Sequence, residues 1–214
     1  MRAGLFPGQG IDAEVVLADL PEGHPIIVDA SAILGYDLRR RVAQICRRVR
    51  PVLPTDVAQP AIFVAGLISF EAASAHESFA YLTGHSLGEY TALVAAESIP
   101  FTHGLQLVTA RGKAMQRATL ASSGAMAAVM GLNLEDIEAI AVATGTTVAN
   151  DNSPTQVVLS GDESALARAA GIVRRRDGRS VLLPVEGAYH SPAMEPAVAH
   201  LAAALDQTDI RSPK

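Results

Sequence analysis

The chain has 214 residues, 49% of them hydrophobic and 18% charged, with 17 Lys and Arg against 22 Asp and Glu for a formal net charge of −5. That balance belongs to a folded chain long enough to bury a core unaided, and an acidic chain with 4% aromatics is a poor nucleic-acid binder. A single cysteine, Cys46, excludes an internal disulfide and a cysteine-based zinc site. The opening Met1–Gly8 has no signal-peptide core, and the longest apolar run, around Ala61–Phe70, falls short of the roughly 20 residues that span a bilayer. The expectation is a cytoplasmic globular protein without metal, membrane or nucleic-acid partner.

Arg2–Phe6 reads as a strand running into the tight turn Pro7-Gly8-Gln9-Gly10. Asp37–Val49 reads as a helix with Val42, Ile45, Cys46 and Val49 on one stripe and arginines around it. A Pro-bearing connection over 50–60 leads to a long apolar helix, Ala61–Ala75. Phe79–Leu82 is expected to be a buried strand and Ser86–Ala96 the helix after it. Phe101–Ala121 is the next helix, with Thr102 as its cap and Leu105, Val108, Met115 and Ala118 facing inward.

Beyond Gly124 the units shorten. Ala125–Met130 reads as a strand and Asn133–Thr144 as a helix. Thr146–Ala149 and Gln156–Ser160 are strands separated by the turn cluster Asn150–Pro154, followed by a helix at Ser164–Asp177 and a strand at Ser180–Pro184. This β-α-β-β-α-β order is that of the split ferredoxin-like motif. It suggests a small subdomain at 124–186 inserted in a larger α/β subdomain formed by 1–123 and 187–214. Pro192–Asp206 closes the pattern as a helix.

The sharpest local feature is Thr83-Gly84-His85-Ser86-Leu87-Gly88-Glu89, a G-x-S-x-G where a strand gives way to a helix. A nucleophile elbow needs glycine on both sides of the serine so that strand and helix can pack closely around a sharp turn. The pattern arises by chance in about one chain in fifteen of this length, so its setting carries most of the weight. The plainer alternative is a Gly-rich turn with Ser86 capping a helix. A serine hydroxyl needs a base, and His190, between a predicted strand and a helix, is the best placed of the six histidines; His85 is expected to point away from Ser86. Arg111 lies among Leu107, Val108, Gly112 and Met115. It reads either as a surface charge, the preferred reading from the helix alone, or as a cation gripping a carboxylate through two hydrogen bonds.

Six segments together resemble the malonyl-CoA:acyl-carrier-protein transacylase family, which includes the acyltransferases of polyketide synthesis. They are Leu5–Gly10, Gly84–Tyr90, Arg111–Gln116, Gly124–Val129, Asn150–Gly161 and Ala188–Met194, in the family order. The resemblance implies an α/β-hydrolase-like large subdomain with the ferredoxin-like insert, and a Ser86 nucleophile served by His190. It implies an oxyanion hole from the amides of Gln9 and Leu87, and Arg111 on the free malonyl carboxylate. Malonyl-CoA and an acyl carrier protein are the implied partners, with no bound cofactor. Leu87, together with Ala188 and Tyr189 before the histidine, resembles malonyl-selective members, which makes Tyr189 a substrate-binding candidate. Gly187 stands where those members often carry His, and Ile11-Asp12-Ala13 replaces the family's Ser-Gln after G-Q-G. Family members also continue well past the counterpart of Arg211–Lys214, which leaves three explanations: a larger protein cut short, the preferred one, a naturally shortened enzyme completed by a partner, or a degenerate remnant. Loss of that continuation would open an apolar sheet edge and remove the carbonyl that orients the histidine. Glu186, Asp151 and Asp162 are the acids in principle able to replace it. Two other functions compete: an acyl hydrolase acting on carrier-protein thioesters, and a non-catalytic docking module with Arg39–Arg41, Arg47, Arg48, Arg50 and Arg174–Arg176 as its positive surface.

Overall fold

The computed structural model describes residues 1–49 and 51–213; Arg50 and Lys214 lie outside the described residues. The fold is α/β, and the chain divides into two compact units, Met1–Lys113 with His200–Lys214, and Ala114–Ala199.

In the first unit, strand β1 (Ala3–Phe6) pairs in parallel with β2 (Tyr81–Gly84), Phe6 opposite Gly84. Between them run helices α1 (Ala13–Ala18), α2 (Pro25–Leu34), α3 (Leu38–Cys46) and α4 (Thr55–Ser74). Helix α5 (Gly88–Ala95) follows the elbow, and α6 (Phe101–Ala121) begins in this unit. The core gathers around α4: Phe63 is fully buried among Leu38, Val42, Leu87, Leu105 and Val108. Among the described residues α4 is the one helix long and apolar enough to cross a membrane, longer than the Ala61–Phe70 run suggests, and most of it is buried.

Several features of this unit depart from expectation. The strand expected to be buried at Phe79–Leu82 is β2 at Tyr81–Gly84, whose Tyr81 is 63% exposed, and Val49, expected on the inward stripe, is 95% exposed beyond the end of α3. Helices α1 and α2 have no counterpart in the periodicity. The first is six residues long. The second opens on Pro25 and three β-branched residues, with His24 as an uncommon cap that accepts from the Ile26 amide. Helix α4 starts at Thr55, six residues before the predicted Ala61, and carries Pro60 inside it. An internal proline loses one backbone hydrogen bond and strains the turn before it; here the buried run Val57–Ala65 packs that turn into the core. Thr102 is no cap, because α6 starts one residue earlier at Phe101.

In the second unit, β3 (Ala125–Met130), β4 (Thr147–Ser153), β5 (Gln156–Gly161) and β6 (Arg179–Leu182) form one antiparallel sheet in the order β4-β5-β3-β6. Helices α7 (Leu134–Thr144) and α8 (Glu163–Arg175) cover one face, where Ala127, Val129, Val157 and Leu159 meet Ile137, Ile140 and Leu166. Met126, Ala128 and Val158 face the other way, onto Met115, Tyr189 and Ala197. The expected turn at Asn150–Pro154 is mostly strand. β4 runs on to Ser153 with two irregularities in its pairing, because the β5 ladder continues beside it and its polar side chains stay exposed. After a 3-10 turn at Pro192–Met194, α9 (Glu195–Asp206) leads back into the first unit.

Candidate active site

The elbow is built by contact distances that leave no room for a side chain. A Cβ on Gly84 would overlap the Gly88 backbone, and one on Gly88 would overlap the Phe6 carbonyl. Strand and helix are thereby drawn together, and the serine between them takes the left-handed conformation, φ 52°, uncommon for a residue with a Cβ. The His85 amide donates to Phe6 O at 2.9 Å, tying the elbow to the end of β1. The loop after β1 packs beside it: a Cβ on Gly8 would lie 2.8 Å from the His85 carbonyl oxygen. Ser86 does not act as a helix cap. That position belongs to Leu87, whose side chain makes no capping hydrogen bond and is buried in the core.

Arg111 is no surface charge. It is 9% exposed, and its guanidinium donates from Nη1 to Gln59 Oε1 at 2.7 Å and from Nη2 to Ser86 Oγ at 2.9 Å. It also lies over the Tyr90 ring, 5.7 Å from the centroid, where a cation is attracted by the ring face. Burial pushes the Tyr90 phenol above its ordinary pKa, with the guanidinium opposing that shift and Glu89 adding to it. Gln59 in turn donates from Nε2 to Gln9 Oε1, and Gln9 donates from Nε2 to Thr55 Oγ1, both at 3.3 Å. The guanidinium thus holds a fixed positive charge beside the Ser86 hydroxyl oxygen. Charge-assisted bonds of this kind are about twice as strong as neutral ones.

Ser86, Leu87, Gln9 and Arg111 are thus brought together in the first unit. Tyr189 and His190 belong to the second. His190 is exposed and, like Ser86, left-handed, φ 56°. Its turn is pinned by Ser191, whose hydroxyl donates to Ala188 O at 2.6 Å and accepts from the Ala193 amide at 3.3 Å. Left-handed strain at a non-glycine residue concentrates at functional turns. The Tyr189 ring is 4% exposed and packed with Met115, Met126 and Val158. Gly187 is closely packed: a Cβ there would overlap Thr119 Oγ1 and lie 2.7 Å from the Tyr189 ring, so a larger residue requires these side chains to shift. Of the three acids weighed as partners of His190, Asp162 caps α8, accepting from the Ala165 amide at 2.8 Å and Ser164 Oγ at 2.7 Å. Glu186 accepts from Gln116 at 3.2 Å, and Asp151 is exposed on β4.

Comparison with known proteins decides the family. The model of the acyl transferase domain matches residues 24–214. The chain belongs to the acyl transferase family. It is 36% identical to the malonyl CoA-acyl carrier protein transacylase of Escherichia coli strain K12, over 99% of this chain and 71% of that protein. The solved malonyl CoA-acyl carrier protein transacylase of Coxiella burnetii superposes with a TM-score of 0.86 at 35% identity, over 99% of this chain and 70% of that one. A malonyl-transacylase solved in complex with a type II polyketide acyl-carrier protein gives 0.85 at 33% identity, over 99% and 71%.

Within this acyl transferase, Gln59 and Thr55 are the site residues that sequence reading missed, because their segment reads as a proline-bearing connection. A signal was there to find. A glutamine flanked by Ala58, Pro60 and Ala61 in an apolar stretch has no reason to be polar unless it has partners in the core.

Proposed function

We propose that this acyl transferase moves a malonyl group from malonyl-CoA to the phosphopantetheine thiol of an acyl carrier protein by way of an ester on Ser86. The observation that carries the reading is the buried Arg111 guanidinium, 2.9 Å from Ser86 Oγ. A malonyl ester on that oxygen holds its free carboxylate one methylene beyond the carbonyl, within range of the same donor fork. A hydrolase of neutral acyl groups gains nothing from a cation there.

In the first half-reaction, Ser86 Oγ attacks the thioester carbonyl of malonyl-CoA and its proton passes to His190. As the C–S bond breaks, His190 returns the proton to the CoA sulfur. In the second half, the carrier thiol gives its proton to His190, its sulfur attacks the ester carbonyl, and Ser86 recovers its hydrogen. Each step passes through an oxyanion, to which the Leu87 and Gln9 amides donate. Tyr189 is assigned to substrate binding on the resemblance of its segment to malonyl-selective members. The steps call for no metal or bound cofactor, and we place them in the cytoplasm with the CoA thioesters. We read the first unit as α/β-hydrolase-like, on its strand–elbow–helix. We read 124–186 as a ferredoxin-like subdomain, on its β-α-β-β-α-β order with β3 central and β4 and β6 at the edges.

Incubation with radiolabelled malonyl-CoA tests the reading. A covalent adduct is expected on the intact chain, absent in Ser86→Ala, and discharged by a carrier protein bearing its phosphopantetheine arm. A folded sample that takes up no label would overturn it.

A further inference from the structure

We infer that Gln59, anchored through Gln9 by Thr55, is a positioning residue that fixes the Arg111 guanidinium and ties it to the loop whose Gln9 amide is assigned to the oxyanion. Thr55 and Gln59 are both fully buried. They stand four residues apart on α4 and so share one helix face. A buried glutamine in so apolar a helix is costly unless its amide is satisfied, and here the amide is used at both ends.

The direction of the relay follows from Arg111. A guanidinium has five donors and no acceptor, so the group that Gln59 turns toward it has to be Oε1, 2.7 Å from Nη1. That leaves Gln59 Nε2 facing Gln9, which must answer with its own Oε1, and Gln9 Nε2 then faces the Thr55 hydroxyl. One cation thus orients two amides. The reverse also holds, because rotating either amide would set donor against donor. The relay places the carboxylate grip and the oxyanion loop on a single helix face, that of Thr55 and Gln59. Helix α6 is held against that same turn, since a Cβ on Gly112 would lie 2.9 Å from Thr55 O and 3.3 Å from Gln59 Cβ.

Substitutions separate the two ends. Gln59→Glu keeps an acceptor for Arg111, and the relay survives by reversal, since the Gln9 amide can rotate and the Thr55 hydroxyl can donate instead. The new carboxylate, however, competes with the substrate's for the guanidinium. Thr55→Val removes the far anchor, and Thr55→Ser keeps the hydroxyl.

The inference rests on the malonyltransferase reading only for the identity of the group that Arg111 grips, and the test keeps the two apart. Formation of the Ser86 adduct is measured with malonyl-CoA and with acetyl-CoA, which lacks the carboxylate, in each variant and again with Arg111→Ala. Gln59→Glu is expected to raise KM for malonyl-CoA about tenfold more than for acetyl-CoA, and to add nothing once Arg111→Ala is present. Thr55→Val is expected to lower kcat with both donors, with recovery in Thr55→Ser. Malonyl kinetics unchanged in Gln59→Glu, equal losses on both donors, or additivity with Arg111→Ala would each overturn the inference. If the unaltered chain forms no malonyl adduct, the transferase reading fails. The relay is then decided by the Arg111 Nη–H nuclear magnetic resonance signals. Hindered rotation in the native chain that Gln59→Met releases supports it, and rotation alike in both overturns it.

Discussion

Arg111 reaches two acceptors at once, Gln59 Oε1 at 2.7 Å and Ser86 Oγ at 2.9 Å, from two nitrogens of one planar group. A lysine ammonium is a point charge on a flexible stem and cannot span both in a fixed geometry. Hydrogen bonds to charged groups are worth about 1.5–3 kcal/mol, so Arg111→Lys is expected to lower kcat/KM for malonyl transfer by about 10- to 150-fold. Arg111→Ala should cost malonyl transfer more than acetyl transfer; steady-state kinetics with the two CoA thioesters checks both, and equal losses would detach Arg111 from the carboxylate. From sequence alone Arg111 reads as a surface charge, because exposed Lys113 and Arg117 stand on the same helix and periodicity does not say which arginine points inward. The better signal is the adjacent Gly112. A glycine inside a helix costs about 1 kcal/mol, and it stands there because α4 passes too close for a side chain.

At the scale of elements, the elbow is strand, turn and helix compressed into one contact. Gly84→Ala and Gly88→Ala would each drive a methyl into backbone, which cannot move aside as a flexible side chain can. Both are expected to destabilise by about 3 kcal/mol or more; a urea unfolding midpoint within error of the native chain would contradict the geometry. A second element-scale outcome concerns pH. Hydrogen bonds from Ser164 and the Ala165 amide hold the Asp162 carboxyl below its ordinary pKa at the α8 cap. A depressed carboxyl pKa contributes stability above the ordinary carboxylate range and loses it as pH falls through the folded value. Asp162→Asn, an equally good cap, should therefore match the native chain at neutral pH and show a flatter fall in melting temperature between about pH 4 and 2. The elbow was legible because its glycines and serine are local in sequence, as was the alternation of strands and helices over 125–182. The start of α4 was not, since Pro60 marks a boundary by every local rule and only the buried run Val57–Ala65 carries the helix back to Thr55. The relay that Thr55 and Gln59 form with Gln9 and Arg111 stayed hidden with it, because contacts across such separations leave no trace in local pattern.

For the whole molecule, the feature with the largest consequence is the sheet of the first unit. Parallel sheets are ordinarily covered on both faces, and β1 with β2 is covered on one. Phe6 turns inward and is buried, while Ala3, Leu5, Tyr81 and Thr83, which pair Ala3 with Tyr81 and Leu5 with Thr83, are exposed on the other face. Leu5 is 76% and Tyr81 63% exposed, and an apolar cavity of about 300 Å³ lined by Leu5, Phe6, Ile62, Phe70 and Phe79 lies alongside. Fully burying a leucine side chain is worth about 1.5–3 kcal/mol, and a short strand with unpaired backbone groups adds a template for pairing. The 214-residue chain is therefore expected to self-associate as its concentration rises. Sedimentation velocity across a concentration series measures this directly. Leu5→Lys combined with Tyr81→Lys should shift the weight-average mass back toward the monomer, while malonyl labelling of Ser86 persists because both side chains point away from the elbow's packed face. A native chain that stays monomeric throughout the series would show that two strands with one open face are tolerated here without a partner.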